Sequence, residues 1–120
     1  MRVEITEVPA DGSVRFVCPA GSARARWHGP ARTGGWDVEL DFPAAVSTWT
    51  VSDHGTGTLT GSGARTRITG RVAAFDPADG VATIEVSGSL VLVEVAPPAR
   101  IQAGDWLSFT AELHLYPVDL

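Results

Sequence analysis

The chain has 120 residues, 44% of them hydrophobic and 19% charged, enough for one domain with a real core and unlike a disordered polymer. Its nine basic residues are all arginine and stand against fourteen Asp and Glu, a net charge of −5 that argues against general affinity for nucleic acid or anionic membranes. Cys18 is the only cysteine, so packing alone must hold the fold, and no apolar run approaches a membrane span.

The opening "MRVEITEVPADG" has no apolar core of a signal peptide, and a cytoplasmic location is the default expectation. From there the pattern has period two, broken by turn residues, as in short strands. Val3 and Ile5 alternate with Glu4 and Thr6; after "PADGS", Val14, Phe16 and Cys18 alternate with Arg15 and Val17. After "PAGS", Ala23, Ala25 and Trp27 share a face opposite Arg24 and Arg26. Beyond "HGPARTGG", Trp36, Val38, Leu40 and Phe42 oppose Asp37, Glu39 and Asp41. A hairpin with Trp27 across from Trp36 would pair Arg26 with Asp37 and Arg24 with Glu39, and this register is the expectation.

"SDHGTGTLTGSGARTRITG" sets Ser52, Asp53 and His54 side by side. Neighbours in an extended segment point to alternate sides, whereas a catalytic triad converges on one cleft, so a loop is expected. Its glycines lack the Gly-Lys-Ser/Thr ending and following helix of a phosphate loop. The stretch reads as a weak strand "TGTLT", a turn at 61–63 and a strand from about Ala64, with Arg65, Arg67 and Arg71 along one face and Glu85 as a partner.

The second half forms a meander. With "DPADG" at one tip, Ala74, Val72 and Gly70 fall opposite Ala82, Ile84 and Val86. With Gly88-Ser89 at the next, Val86, Ile84 and Ala82 fall opposite Val91, Val93 and Val95, so two independent turns agree on one apolar face. Leu90 and Leu92 take the outer face, where the N-terminal strands are expected to cover them. In a long last strand, Leu107, Phe109, Ala111, Leu113 and Leu115 oppose Trp106, Ser108, Thr110, Glu112, His114 and Tyr116.

Gly70, Val72, Phe75, Gly80, Ile84, Val91, Val93, Gly104, Leu107 and Phe109 carry a resemblance: residues 70–109 look like the first four strands of an OB-fold barrel of the cold-shock type. That family stacks bases on aromatics of its second and third strands, flanked by basic residues. Here those strands read "GVATIEV" and "LVLVEV", with Glu85 and Glu94 in place of platform and positive charge, so the resemblance speaks for the fold and not for its ligand.

The expectation is therefore a single all-β domain over 1–120. It is a small barrel or barrel-like sandwich of about eight mostly antiparallel strands, with an OB-like meander in its second half. Its expected role is a non-enzymatic interaction module for a protein partner or a second copy. Alternatives are a barrel for a small anionic ligand and single-stranded nucleic-acid binding. Candidate contact residues are Arg65, Arg67, Arg71, Trp106, His114 and Tyr116. The outer face of Trp106 is expected to be covered, by the N-terminal strands or by a second copy. No cofactor, metal, nucleic-acid or membrane partner is expected; His28, His54, His114 and Cys18 show no ligand spacing. The missing stacking aromatics and acidic charge predict no binding of single-stranded DNA or RNA at physiological salt. A salt-sensitive fluorescence-anisotropy isotherm with sub-micromolar affinity would overturn this.

Overall fold

The alternating pattern becomes eleven strands in a computed structural model that describes residues 1–61 and 63–118. In chain order they are β1 (Arg2–Glu7), β2 (Ser13–Cys18), β3 (Gly21–Trp27), β4 (Gly34–Asp41), β5 (Thr50–Ser52), β6 (Thr58–Thr60), β7 (Thr66–Asp76), β8 (Val81–Val86), β9 (Ser89–Glu94), β10 (Trp106–Ala111) and β11 (His114–Pro117). No helix occurs among the described residues. The strands β1-β2-β3-β11-β4 close into a barrel, and a second sheet runs β5-β10-β7-β8-β9 with β6 also paired to β7.

The barrel's order is compatible with an OB-like fold: a three-strand meander, then a last strand parallel to β3 and antiparallel to β4. The second sheet repeats this plan. β7, β8 and β9 form a meander, β10 returns beside β7, and the segment leading into β5 takes the fifth place. Val46 bridges Val95 in parallel at the end of β9, and β5 lies antiparallel against β10. Each unit thus receives its fifth strand from the other: the segment after β4 joins the second sheet, and the segment after β10, β11, closes the barrel.

Local structure repeats with the same offset. "PADG" stands at 9–12 and 77–80, and "PAR" at 30–32 and 98–100, both 68 residues apart. Gly12 and Gly80 both have positive φ, at 84° and 73°. Asp11 and Asp79 each accept a hydrogen bond from the amide two residues on, Ser13 and Val81. The Trp27 amide bonds the Gly12 carbonyl as the Val95 amide bonds that of Gly80. Fixed-period self-similarity of this kind marks repeated supersecondary units.

Several expectations are corrected. The hairpin of β3 with β4 does not form, because β11 lies between them. Arg24 instead reaches the Asp11 carboxylate at 2.7 Å, and Asp37 takes Arg2 at 3.5 Å. Trp27 and Trp36 still meet edge to face, with ring centroids 5.4 Å apart. The expected long last strand is two strands in two sheets; its alternation continues across the break, with Leu107, Phe109, Ala111, Leu113 and Leu115 all buried. The closed barrel lies in the N-terminal strands plus β11, not in 70–109.

In the meander, Val72 pairs Ile84 as expected, but a bulge between Val72 and Ala74 moves Ala82 opposite Phe75. The tip of the next hairpin is Ser87-Gly88, both at positive φ as a type I′ turn requires, so Ile84 pairs Val91 and Ala82 pairs Val93. That shift of two residues leaves every side chain on its expected face. "TGTLT" is β6, and the strand after it starts at Thr66; Ser62, within the expected turn at 61–63, lies outside the described residues.

β6 ties the units together. It pairs with β7, and its Leu59 and Gly61 amides donate to the Ala20 and Ser22 carbonyls on the edge of β3. The Thr66 hydroxyl, itself fully buried, reaches the Arg24 carbonyl on the same edge at 3.2 Å. Gly21, at φ 141°, is where β6 comes closest: a Cβ there would strike the Leu59 carbonyl. Gly21→Ala is expected to cost about 1–3 kcal/mol, from left-handed strain and displacement of β6. Urea unfolding followed by tryptophan fluorescence measures it.

Candidate functional site

Strand β9 is the edge of the second sheet, and its sequence leaves that edge apolar. The two-residue turn makes Val86 and Ser89 the closing hydrogen-bonded pair, so along β9 the residues Val91 and Val93 exchange bonds with β8. Leu90, Leu92 and Glu94 therefore turn their backbone N–H and C=O outward. The Glu94 carbonyl accepts from the Val46 amide at 2.8 Å on that edge, and Ala96 donates to the Val46 carbonyl. Among the described residues no backbone partner covers Leu90 and Leu92.

Their side chains are uncovered as well. Leu90 is 67% and Leu92 65% exposed, which corrects the expectation that the N-terminal strands bury them. Instead the first barrel stands across a groove of about 580 Å³, lined by Val38, Glu39 and Asp41 of β4, Tyr116 of β11, and Leu90 and Leu92. Glu39 and Asp41 form no ion pair among the described residues. The groove is thus an open strand edge, apolar along β9 and acidic along β4.

The equivalent edge in the first unit is occupied. At the offset of 68, Ser22 and Arg24 correspond to Leu90 and Leu92. Their carbonyls are those met by the Gly61 amide and the Thr66 hydroxyl. One strand edge is covered by the chain itself; its counterpart is covered at Leu90 and Leu92 by none of the described residues.

The six residues singled out from the sequence do not converge. Arg67 and Arg71 are exposed on the outer face of β7, with Arg71 directly across from Glu85 as expected and from Trp106 on the other side. Arg65 is exposed and donates to the Thr110 carbonyl at 2.9 Å. Trp106 is half-buried; its ring lies against Gly55, not beneath the N-terminal strands. His114 and Tyr116 belong to the barrel, where His28 stacks on both, with centroids 4.9 and 4.1 Å away. His114 also meets His28 at 2.8 Å and Glu112 at 3.2 Å. Of the six, only Tyr116 lines the groove. Leu90, Leu92, Glu39 and Asp41 were not among the candidates; the available signal was two leucines on the polar face of a strand.

Ser52, Asp53 and His54 bond locally: the serine hydroxyl donates to the His54 carbonyl at 2.6 Å, and the imidazole meets Asp53 at 2.7 Å, ring and carboxylate both open to solvent. Among the described residues no group of three or more His, Cys, Asp or Glu converges as a metal site requires, and no helix is long and apolar enough to cross a membrane. No family model matches the chain, and comparison with curated proteins and with solved structures gives no match either.

The carboxyl of Asp11 is more acidic than an ordinary aspartate. The Ser13 hydroxyl, 2.6 Å away, and then the Ser13 amide hold its carboxyl below the ordinary 3.8; desolvation opposes them, and a smaller pull from Arg24 adds to the lowering. A lowered folded value means stability that is present above 3.8 and lost as the pH falls through the folded value. Carbon-detected NMR titration should place the Asp11 midpoint below 3.8, and Ser13→Ala should move it up toward that value.

Proposed function

We propose that this chain is a non-enzymatic interaction module that accepts an extended segment of another protein as an added strand on the edge of β9. The observation that carries the reading is the contrast between the two equivalent edges: β6 seats on β3, and none of the described residues seats on β9 at Leu90 and Leu92. β6 also supplies the orientation. Its donors advance along β3 in the same direction, Leu59 to Ala20 and Gly61 to Ser22, so it runs parallel to β3, and the added strand runs parallel to β9. Strand addition draws register from main-chain hydrogen bonds, each contributing about 0.5–1.5 kcal/mol net, and specificity from alternate side chains. Covering an exposed leucine contributes about 1.5–3 kcal/mol when burial is complete, so Leu90 and Leu92 outweigh the hydrogen bonds. An OB-like arrangement of β7 to β10, of the cold-shock kind, is part of the same proposal: it leaves the β9 edge free because the fifth strand touches that edge only at Val46.

Leu92→Pro tests the reading. Position 92 turns its N–H away from β8, so proline removes a donor to the incoming strand without removing one from the ladder. Peptides selected on the parent from a random display library should bind the variant at least about tenfold more weakly, a loss of roughly 1.4 kcal/mol or more. They should also protect the Leu90 and Leu92 amides of the parent from hydrogen exchange. Unchanged affinity for a variant with parental circular dichroism would overturn the proposal.

A further inference from the structure

The groove also specifies the chemistry of its occupant, and we infer that the added strand is a basic amphipathic segment, alternating apolar side chains with arginine or lysine. This rests on strand addition at β9. A strand added there places alternate side chains on the face of Leu90 and Leu92 and the intervening ones on the face of the buried Val91 and Val93. The first set meets two leucines that are two-thirds exposed. The same set meets the β4 wall, where Glu39 and Asp41 line the groove beside those leucines without an ion-pair partner among the described residues. It is therefore the basic set, its aliphatic stems over the leucines. The second set continues the apolar face of Val91 and Val93, as the buried Leu59 of β6 does in the first unit. Met1 also lines the groove, and its terminal ammonium donates to the Val38 carbonyl at 3.0 Å. One fixed ammonium against the two carboxylates of Glu39 and Asp41 leaves the groove acidic.

The comparison between edges supports the same conclusion. Where β6 covers β3, the exposed positions along the edge are Ser22, Arg24 and Arg26, and the covering strand, "TLT", is neutral. Their counterparts 68 residues on are Leu90, Leu92 and Glu94. The open edge has exchanged small polar and basic side chains for apolar and acidic ones, so it fits a ligand unlike β6. A second copy of the chain fits poorly. Pairing of two β9 edges about a twofold axis is antiparallel, against the parallel orientation of β6 on β3, and adds a second copy's Glu39 and Asp41 to an already acidic groove.

Peptides of equal length that alternate leucine with arginine, with serine or with glutamate separate the possibilities when titrated by isothermal calorimetry. Light scattering follows the oligomeric state. The arginine peptide is expected to bind about tenfold more tightly than the serine peptide, since two exposed carboxylates contribute a few tenths to about 1 kcal/mol each. The advantage should shrink in the Glu39→Gln/Asp41→Asn variant and at high salt, and Leu92→Pro should abolish binding of every peptide. Equal binding of the arginine and serine peptides, still lost in Leu92→Pro, overturns the basic class and leaves strand addition standing. Binding of the arginine peptide that Leu92→Pro does not disturb overturns strand addition and the assignment built on it. A dimer that Leu92→Pro dissociates, with no peptide bound, makes a second copy the occupant and overturns the inference. No binding by a monomeric parent overturns both readings.

Discussion

The placement of β11 between β3 and β4 is the constraint on which the rest of the structure depends. Without it, β3 and β4 would each keep an open edge and the barrel would not close. Because β11 follows β10, the whole second unit must be laid down before the first barrel is complete. Leu115, fully buried, and the carbonyls of Leu113 and Leu115, which accept from the Arg26 and His28 amides, fix the strand there. The pairing spans most of the chain, so its loop-closure cost precedes its reward, a topology associated with slow folding.

The exchange of fifth strands is unequal, and the open edge follows from that inequality. β11 is a four-residue strand hydrogen-bonded on both sides. Its counterpart in the second sheet meets β9 only at Val46 and pairs with β10 only over the three residues of β5. β6 then covers the remaining edge in the first unit and has no equivalent in the second. An uncovered apolar edge invites association, and proteins usually blunt it with lysine or proline. Here Glu39 and Asp41 stand on the facing wall, and under the proposed reading they blunt the edge against a second acidic copy.

Period-two alternation assigned nearly every buried residue to the correct face, including the last strand, where the face survives a change of sheet. The position of the Ser87-Gly88 turn was misjudged by one residue, yet a register shift of two cannot invert a face. The bulge after Val72 was not visible, because nothing in "RVAAF" marks an extra residue. The hairpin of β3 and β4 failed for a different reason: complementary charges at Arg24, Arg26, Asp37 and Glu39 suit that pairing, but surface pairs of that kind contribute too little to compete with closing a barrel. The repeats of "PADG" and "PAR" stood in the chain throughout. Between them the apolar identities diverge enough that the shared plan is recognisable only from the strand pairing.

From the sequence alone came the all-β class, the direction of most side chains and the absence of stacking aromatics on β8 and β9. These depend on backbone geometry and local chemistry, which act over a few residues. Tertiary structure alone decided which strands are neighbours, which unit receives each fifth strand and which edge stays open. Strand partners are chosen by burial summed over the whole core, so Leu90 and Leu92 stay exposed because none of the other described strands pairs with them.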